Sequence, residues 1–156
     1  MIHKKLITEC IRESNKIEGI IRKPTSQEIV EFERFLSLSV LTIDECNKFV
    51  SVYQPNAELR NKVGLNVIIG THLPPIGGYQ VEIELGKLLT KINAEMIVPW
   101  SAHVEFETLH PFTDCNGRLG RMIWYWMHDR DLCDVVFLRG FLHEFYYETL
   151  QHSRSQ

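Results

Sequence analysis

Two apolar stripes of helical period are separated by a proline break. Ala102, Phe106 and Leu109 recur at helical spacing, Pro111 follows His110, and Leu119, Met122, Ile123, Trp126 and Met127 then resume the pattern at i, i+3, i+4, i+7 and i+8. A residue before proline is pushed out of the α region, so the first helix must stop at His110. The run His110-Pro111-Phe112-Thr113-Asp114-Cys115-Asn116-Gly117-Arg118-Leu119-Gly120-Arg121 is therefore a helix-terminating loop that feeds a second helix. Any fold open to this chain has to pack two consecutive helices around that loop.

The rest of the chain follows the same period. Ile2, Leu6, Ile7, Cys10, Ile11 and Ile17 predict a leading amphipathic helix that stops near Gly19. Thr25 with Glu28, and Thr42 with Glu45, fit capping boxes ahead of two further helices carrying Ile29, Phe32, Phe35 and Leu36, then Cys46, Phe49, Val50 and Tyr53. Val81, Leu85, Leu88, Leu89 and Ile92 predict another, and a final helix is expected over roughly 137–151. Only one segment departs from this. Val63, Leu65, Val67 and Ile69 alternate, and two prolines and two glycines follow in THLPPIGGYQ, so about 63–80 is expected to be a small β-hairpin. The expected fold is all-α: a compact helical bundle, one domain over 1–156, with a hairpin projecting from it.

Composition narrows the partners. A chain of 156 residues with 44% hydrophobic content can bury a substantial core, and a net charge of −3 with mixed signs argues against binding nucleic acid by bulk electrostatics. Cys10, Cys46, Cys115 and Cys133 form no CxxC pair, so neither a zinc site nor a disulfide framework is expected. No export signal or membrane-length apolar run is visible, and a cytoplasmic location is expected. His72, His103, His128, His143 and His152 lack ligand spacing and are expected at the surface or the core edge. The run His128 to Asp131 reads as a solvated helix end, and Trp124, Tyr125 and Trp126 as core packing.

The loop itself carries chemistry. On the helix starting near Gly117, Arg118, Arg121 and Tyr125 share the face opposite the apolar stripe, so both guanidinium groups can address one anion where the helix dipole is positive. Asn116 and Gly117 tolerate left-handed backbone angles, and a turn there can aim successive N–H groups inward as an anion nest. Polyphosphate is the expected guest. Asp114 offers a hard oxygen to Mg²⁺, which commonly binds through one or two carboxylates plus substrate phosphates. His110, with an unperturbed pKa of about 6.5, can be neutral at neutral pH and accept a proton from an attacking hydroxyl. Cys115 is expected to carry about 1 kcal/mol of strain if its φ is positive, and to have a lowered thiol pKa beside the helix N-terminus and two arginines.

This twelve-residue run closely resembles the Fic family signature, HxFx(D/E)GNGRxxR, and differs at Cys115, where the family has glycine or, in some members, alanine. The resemblance implies a compact helical domain that transfers AMP from ATP to a hydroxyl side chain of a target protein, with self-modification as a further outcome. It implies His110 as general base, Asp114 as Mg²⁺ ligand, Asn116 and Gly117 as the α- and β-phosphate cradle alongside Cys115, Arg118 and Arg121 as holders of the outer phosphates, and Phe112 as the loop's anchor in the core. Ser14-Asn15-Lys16-Ile17-Glu18-Gly19 is similar to the family's inhibitory motif, (S/T)xxxE(G/N), in the subclass that carries it on an N-terminal helix, here 1–20. Glu18 would then pair with Arg121 and displace ATP's γ-phosphate, since a carboxylate competes with phosphate for a bidentate guanidinium. In some relatives that glutamate also supports removal of AMP. The segment between Val67 and Tyr79 is placed like the family's flap, which aligns a target backbone by strand addition. No appended targeting domain is recognised, so target choice is expected to fall to the flap and the local surface.

Two alternatives stand beside this reading. One is a catalytically weak or silent nucleotide-binding module disabled by Cys115. The other is transfer from a different phosphate-containing donor; kinase-like relatives tend to carry lysine where Gly117 stands, which argues against phosphate transfer, whereas phosphocholine transfer is less easily set aside.

Overall fold

The computed structural model describes residues 2–128 and 150–154. Six helices follow in order: α1 (Ile2–Ile17), α2 (Ser26–Leu36), α3 (Ile43–Tyr53), α4 (Tyr79–Asn93), α5 (Pro99–Leu109) and α6 (Asn116–Met127). Residues 150–154 are also helical. The expected final helix lies mostly outside the described residues, as do Cys133, His143 and residues 129–131. Among the described residues no helix is long and apolar enough to cross a membrane.

Local sequence sets the helix boundaries. Thr25 accepts from the Glu28 backbone N–H while the Glu28 carboxylate accepts from that of Thr25, completing a capping box at α2. At α3 only half of the expected box forms. Thr42 caps the Glu45 N–H, but the Glu45 side chain is taken by Arg34. Pro99 occupies the first turn of α5, where its missing N–H costs nothing. The end of α1 is a Schellman turn: Gly19 (φ +75°) donates to Lys16 O and Ile20 to Asn15 O, both at 2.9 Å.

The bundle is organised around α6, which packs against α1, α2, α3 and α5. Leu119, Met122 and Ile123 are buried, and so are Asn116, Arg118 and Arg121. The expectation of one core-facing stripe on α6 is thus incomplete, because the helix is enclosed on its arginine face as well. The stripes on α3 and α4 bury the predicted residues. Tyr125 is core, tilted against Phe32 at 5.8 Å between ring centroids.

The expected hairpin is reduced to a turn. Among the described residues the segment between α3 and α4 holds no strand and two isolated antiparallel bridges, Leu59 to Phe112 of the loop and Ile69 to His72 within the segment itself. Leu65, Val67 and Ile69 are half-buried while Asn66 and Ile68 are exposed, so the alternation describes the inward side chains from Leu65 on, but Val63, expected among them, is exposed. A ladder does not follow, because no neighbouring strand lies alongside and the Asn66 side chain takes the Gly77 N–H instead.

Gly120 marks a close approach of α6 to α5. A Cβ there would lie 2.5 Å from Glu107 Oε1 and 3.0 Å from Phe106 Cδ1. Intrinsic propensity alone favours alanine over glycine by about 1 kcal/mol in a helix interior. Overpacking should win here: Gly120→Ala is expected to destabilise the fold by about 1–3 kcal/mol, read from urea unfolding.

Candidate active site

The loop between α5 and α6 is fixed at both ends by residues with left-handed backbone. His110, the C-cap of α5, has φ +50° and donates its backbone N–H to Phe106 O at 2.8 Å. Cys115, the N-cap of α6, has φ +71°. Each conformation is uncommon for a residue with a Cβ. The surrounding hydrogen bonds impose them. Asn116 closes the loop on itself, its carboxamide accepting from Phe112 N and donating to Phe112 O, both at 2.8 Å. Phe112 is fully buried.

Arg60 supplies the rest, and no sequence motif singled it out. Its fully buried guanidinium donates to four backbone carbonyls: His110 O at 2.7 Å, Leu109 O at 2.9 Å, Pro75 O at 2.8 Å and Leu65 O at 3.1 Å. Its own backbone N–H donates to Pro111 O at 2.8 Å. One side chain thereby ties the flap segment to the end of α5 and to the loop. A charged donor with several buried acceptors is costly to remove, because each carbonyl loses its partner. Arg60→Ala is expected to cost at least about 3 kcal/mol by denaturant unfolding, with the loop and flap losing hydrogen-exchange protection together.

One cavity of about 170 Å³ gathers the chemistry. His110, Asp114, Cys115, Asn116 and Gly117 line it from the loop, and Glu18 lines it from the turn after α1. Glu107, Leu150 and Arg154 contribute walls that sequence reasoning missed. Arg154 packs here through Nη2, which donates to Glu107 O at 2.9 Å. Asp114 is exposed, and its Oδ1 accepts from Cys115 N at 2.6 Å.

The two arginines of the motif are buried but do not line this cavity. Arg121 donates from Nε to Ser14 Oγ at 2.8 Å, and from Nη2 to Ser14 O at 3.1 Å and to Glu18 Oε1 at 2.8 Å. The expected pairing of Glu18 with Arg121 is therefore present. Gly117 makes room for it, since a Cβ there would collide with Glu18 Oε1. Arg118 points elsewhere. It donates to Tyr53 O and Gln54 Oε1, both at 3.2 Å, and its guanidinium lies 6.0 Å from the centroid of the Tyr53 ring.

A profile of the Fic/DOC family matches residues 2–128, which includes α1, the loop and all of α6. The chain belongs to the Fic/DOC family. Among curated proteins none matches it. Membership points to a transferase of the Fic type, on an all-α fold.

Two expectations about this Fic/DOC site need correction. The Cys115 thiol is not activated: burial pushes its pKa up to about 12, outweighing the lowering effect of Arg118 and Arg121. His103 is not at the surface or the core edge. It is 3% exposed, packed by Trp100 and the Gly120 turn, and burial pulls its pKa down to about 3. The other described histidines fit better. His72 bonds Thr108 O at 2.9 Å and His152 is exposed. For Cys115 the consequence is measurable: at pH 8 it should resist alkylation in the native protein and react once the chain is denatured, as followed by mass spectrometry.

Proposed function

We propose that this Fic/DOC protein is an adenylyltransferase that moves AMP from ATP to a Ser, Thr or Tyr hydroxyl of a target protein, and that it is held inactive by Glu18. The observation that carries this reading is a cavity in which His110, Asp114 and the run Cys115–Gly117 meet Glu18, itself paired to Arg121 at 2.8 Å. Burial holds the His110 imidazole well below its usual range, at about 4, so it is neutral and able to accept a proton at neutral pH.

His110 takes the proton of the target hydroxyl, the freed oxygen attacks the α-phosphorus, and the bond from that phosphorus to the β-phosphate oxygen breaks, releasing pyrophosphate. Backbone N–H groups at the start of α6 would face the phosphates, aided by the helix dipole. Asp114 suits Mg²⁺: it is exposed on the cavity wall with one oxygen bonded to Cys115 N–H, and among the described residues no group of three or more ligating side chains offers a protein-only cage. Bound there with the nucleotide, the ion would neutralise phosphate charge.

Inhibition follows from charge and space. A cavity of about 170 Å³ is smaller than the roughly 300–1,000 Å³ usual for ligand pockets. The Glu18 carboxylate occupies the guanidinium that a phosphate would otherwise use, and repels phosphate oxygens. For the target, the flap segment exposes Val63, Ile68, Leu73 and Ile76, an apolar edge suited to an extended segment of the partner.

Wild type, Glu18→Gly, and Glu18→Gly with His110→Ala are incubated with lysate and ATP labelled on the α- or the γ-phosphate. Protein label from the α-phosphate alone is expected, strongest in Glu18→Gly and reduced about 10²–10⁴-fold by His110→Ala. Label from the γ-phosphate would replace this reading with phosphate transfer. ATP binding without any label would replace it with a silent nucleotide-binding module.

A further inference from the structure

Glu107 is a carboxylic acid buried beside the base with no assigned task. It sits on the last turn of α5, three residues before His110, and its side chain is 5% exposed. Its backbone carbonyl lies 3.4 Å from His110 Nδ1, and its Oε2 lies 3.8 Å from the same nitrogen. Its Oε1 has no hydrogen-bond partner among the described residues and fits against the bare Cα of Gly120. Arg154 bonds the backbone of Glu107 rather than its carboxylate. Among the described residues no arginine or lysine bonds that carboxylate, so an acid in such a place is a poor choice for stability, because an apolar side chain of similar size would avoid the cost of burying it.

We propose that Glu107 is the positioning residue of His110: its carbonyl and carboxylate keep the ring proton on Nδ1, leave Nε2 facing the cavity as the acceptor, and stabilise the imidazolium once Nε2 is protonated. In the transfer step the hydroxyl proton passes to Nε2, the oxygen bonds the α-phosphorus, and pyrophosphate leaves with the electron pair of the broken bond. The cation left on the ring then lies beside the Glu107 carboxylate. No proton needs to move from Nδ1 to Glu107 for the balance to hold.

The groups around this pair set its pH behaviour. Glu107 is approached by His103 from α5, Arg121 from α6, Glu18 from the turn after α1, and Arg154. His110 also feels Arg60 and His72. Burial dominates, pushing Glu107 up to about 7 while His110 falls to about 4. The imidazole is therefore neutral throughout the neutral range, and the group that titrates there is Glu107. Below about 7 its carboxyl is neutral and offers the imidazolium little; above it, the carboxylate is charged. Transfer should rise with pH through that region. Stability runs the opposite way, because a folded pKa above the unfolded 4.5 means that stability falls as pH climbs from about 4.5 to about 7.

The activity arm of the test rests on the adenylyltransferase reading, and the spectroscopic arm does not. In a Glu18→Gly background, kcat/KM for modification is measured from pH 5.5 to 9 with and without Glu107→Gln. An acidic limb with its midpoint near 7 is expected, and Glu107→Gln should abolish that limb and lower the plateau roughly 10–100-fold, the usual effect of removing a group that orients a histidine, with ATP affinity unchanged. In parallel, ¹⁵N-histidine spectra of otherwise wild-type protein should show the His110 ring protonated on Nδ1 and responding to a titration near pH 7 that Glu107→Gln removes. Melting at pH 8 checks folding, and Glu107→Gln should be at least as stable as wild type there. A limb that persists in Glu107→Gln, or a His110 ring indifferent to that substitution, overturns the proposal. Protein without transfer activity whose His110 spectrum still follows Glu107 would sink the transferase reading and leave the positioning role standing.

Discussion

An arginine with 1% of its surface exposed at the centre of a helical bundle must have its hydrogen bonds met by the protein, since a guanidinium cannot shed its charge. Arg121 donates through Nε and Nη2 to Ser14 and Glu18. The consequence is architectural as well as chemical: the end of α1 is drawn onto α6 across more than a hundred residues of sequence. The Schellman turn at Gly19 places Glu18 at the C-cap, so the acidic partner arrives on a short, well-bonded turn. The absence of a side chain at Gly117 lets the carboxylate approach.

The loop is held by a different logic. Two left-handed residues, His110 and Cys115, bracket it, and their backbone cost is carried by the Asn116 clamp on Phe112 and by the carbonyl set gathered around Arg60. Such strain persists where neighbouring contacts over-determine the conformation. Cysteine at the α6 N-cap thus fits a backbone that glycine would adopt freely, with its thiol turned into the core and held protonated by burial.

Much of this was readable from residues alone. The 3.6-residue spacing on α3 and α4 named their buried side chains, Thr25 with Glu28 marked a complete capping box, and Pro111 ended α5 where proline chemistry requires. The pairing of Glu18 with Arg121 was legible from a motif resemblance. Other features were not. Alternation from Leu65 to Ile69 reports which side chains are half-buried, although Val63 at its start is exposed, and a strand also needs a neighbour, which among the described residues is lacking there. His103 carries no local mark of burial, because its environment is made by Gly120 on the next helix. Arg60 and Arg154 have ordinary sequence neighbours, and only packing brings them to the loop; Glu107 reaches His110 by helical spacing, but its burial is made by other elements.

By itself the sequence determined the helices, the capping box at α2, the position of the break between α5 and α6, and the chemical inventory of the loop, since these depend on contacts within a few residues. Tertiary structure decided the protonation and the partners. The Cys115 thiol, expected to be acidic from its neighbours in sequence, is held protonated by burial, and the imidazole of His110 is made a weaker base by the same cause. Desolvation depends on the atoms that fold around a group from distant parts of the chain, and these cannot be counted along a sequence.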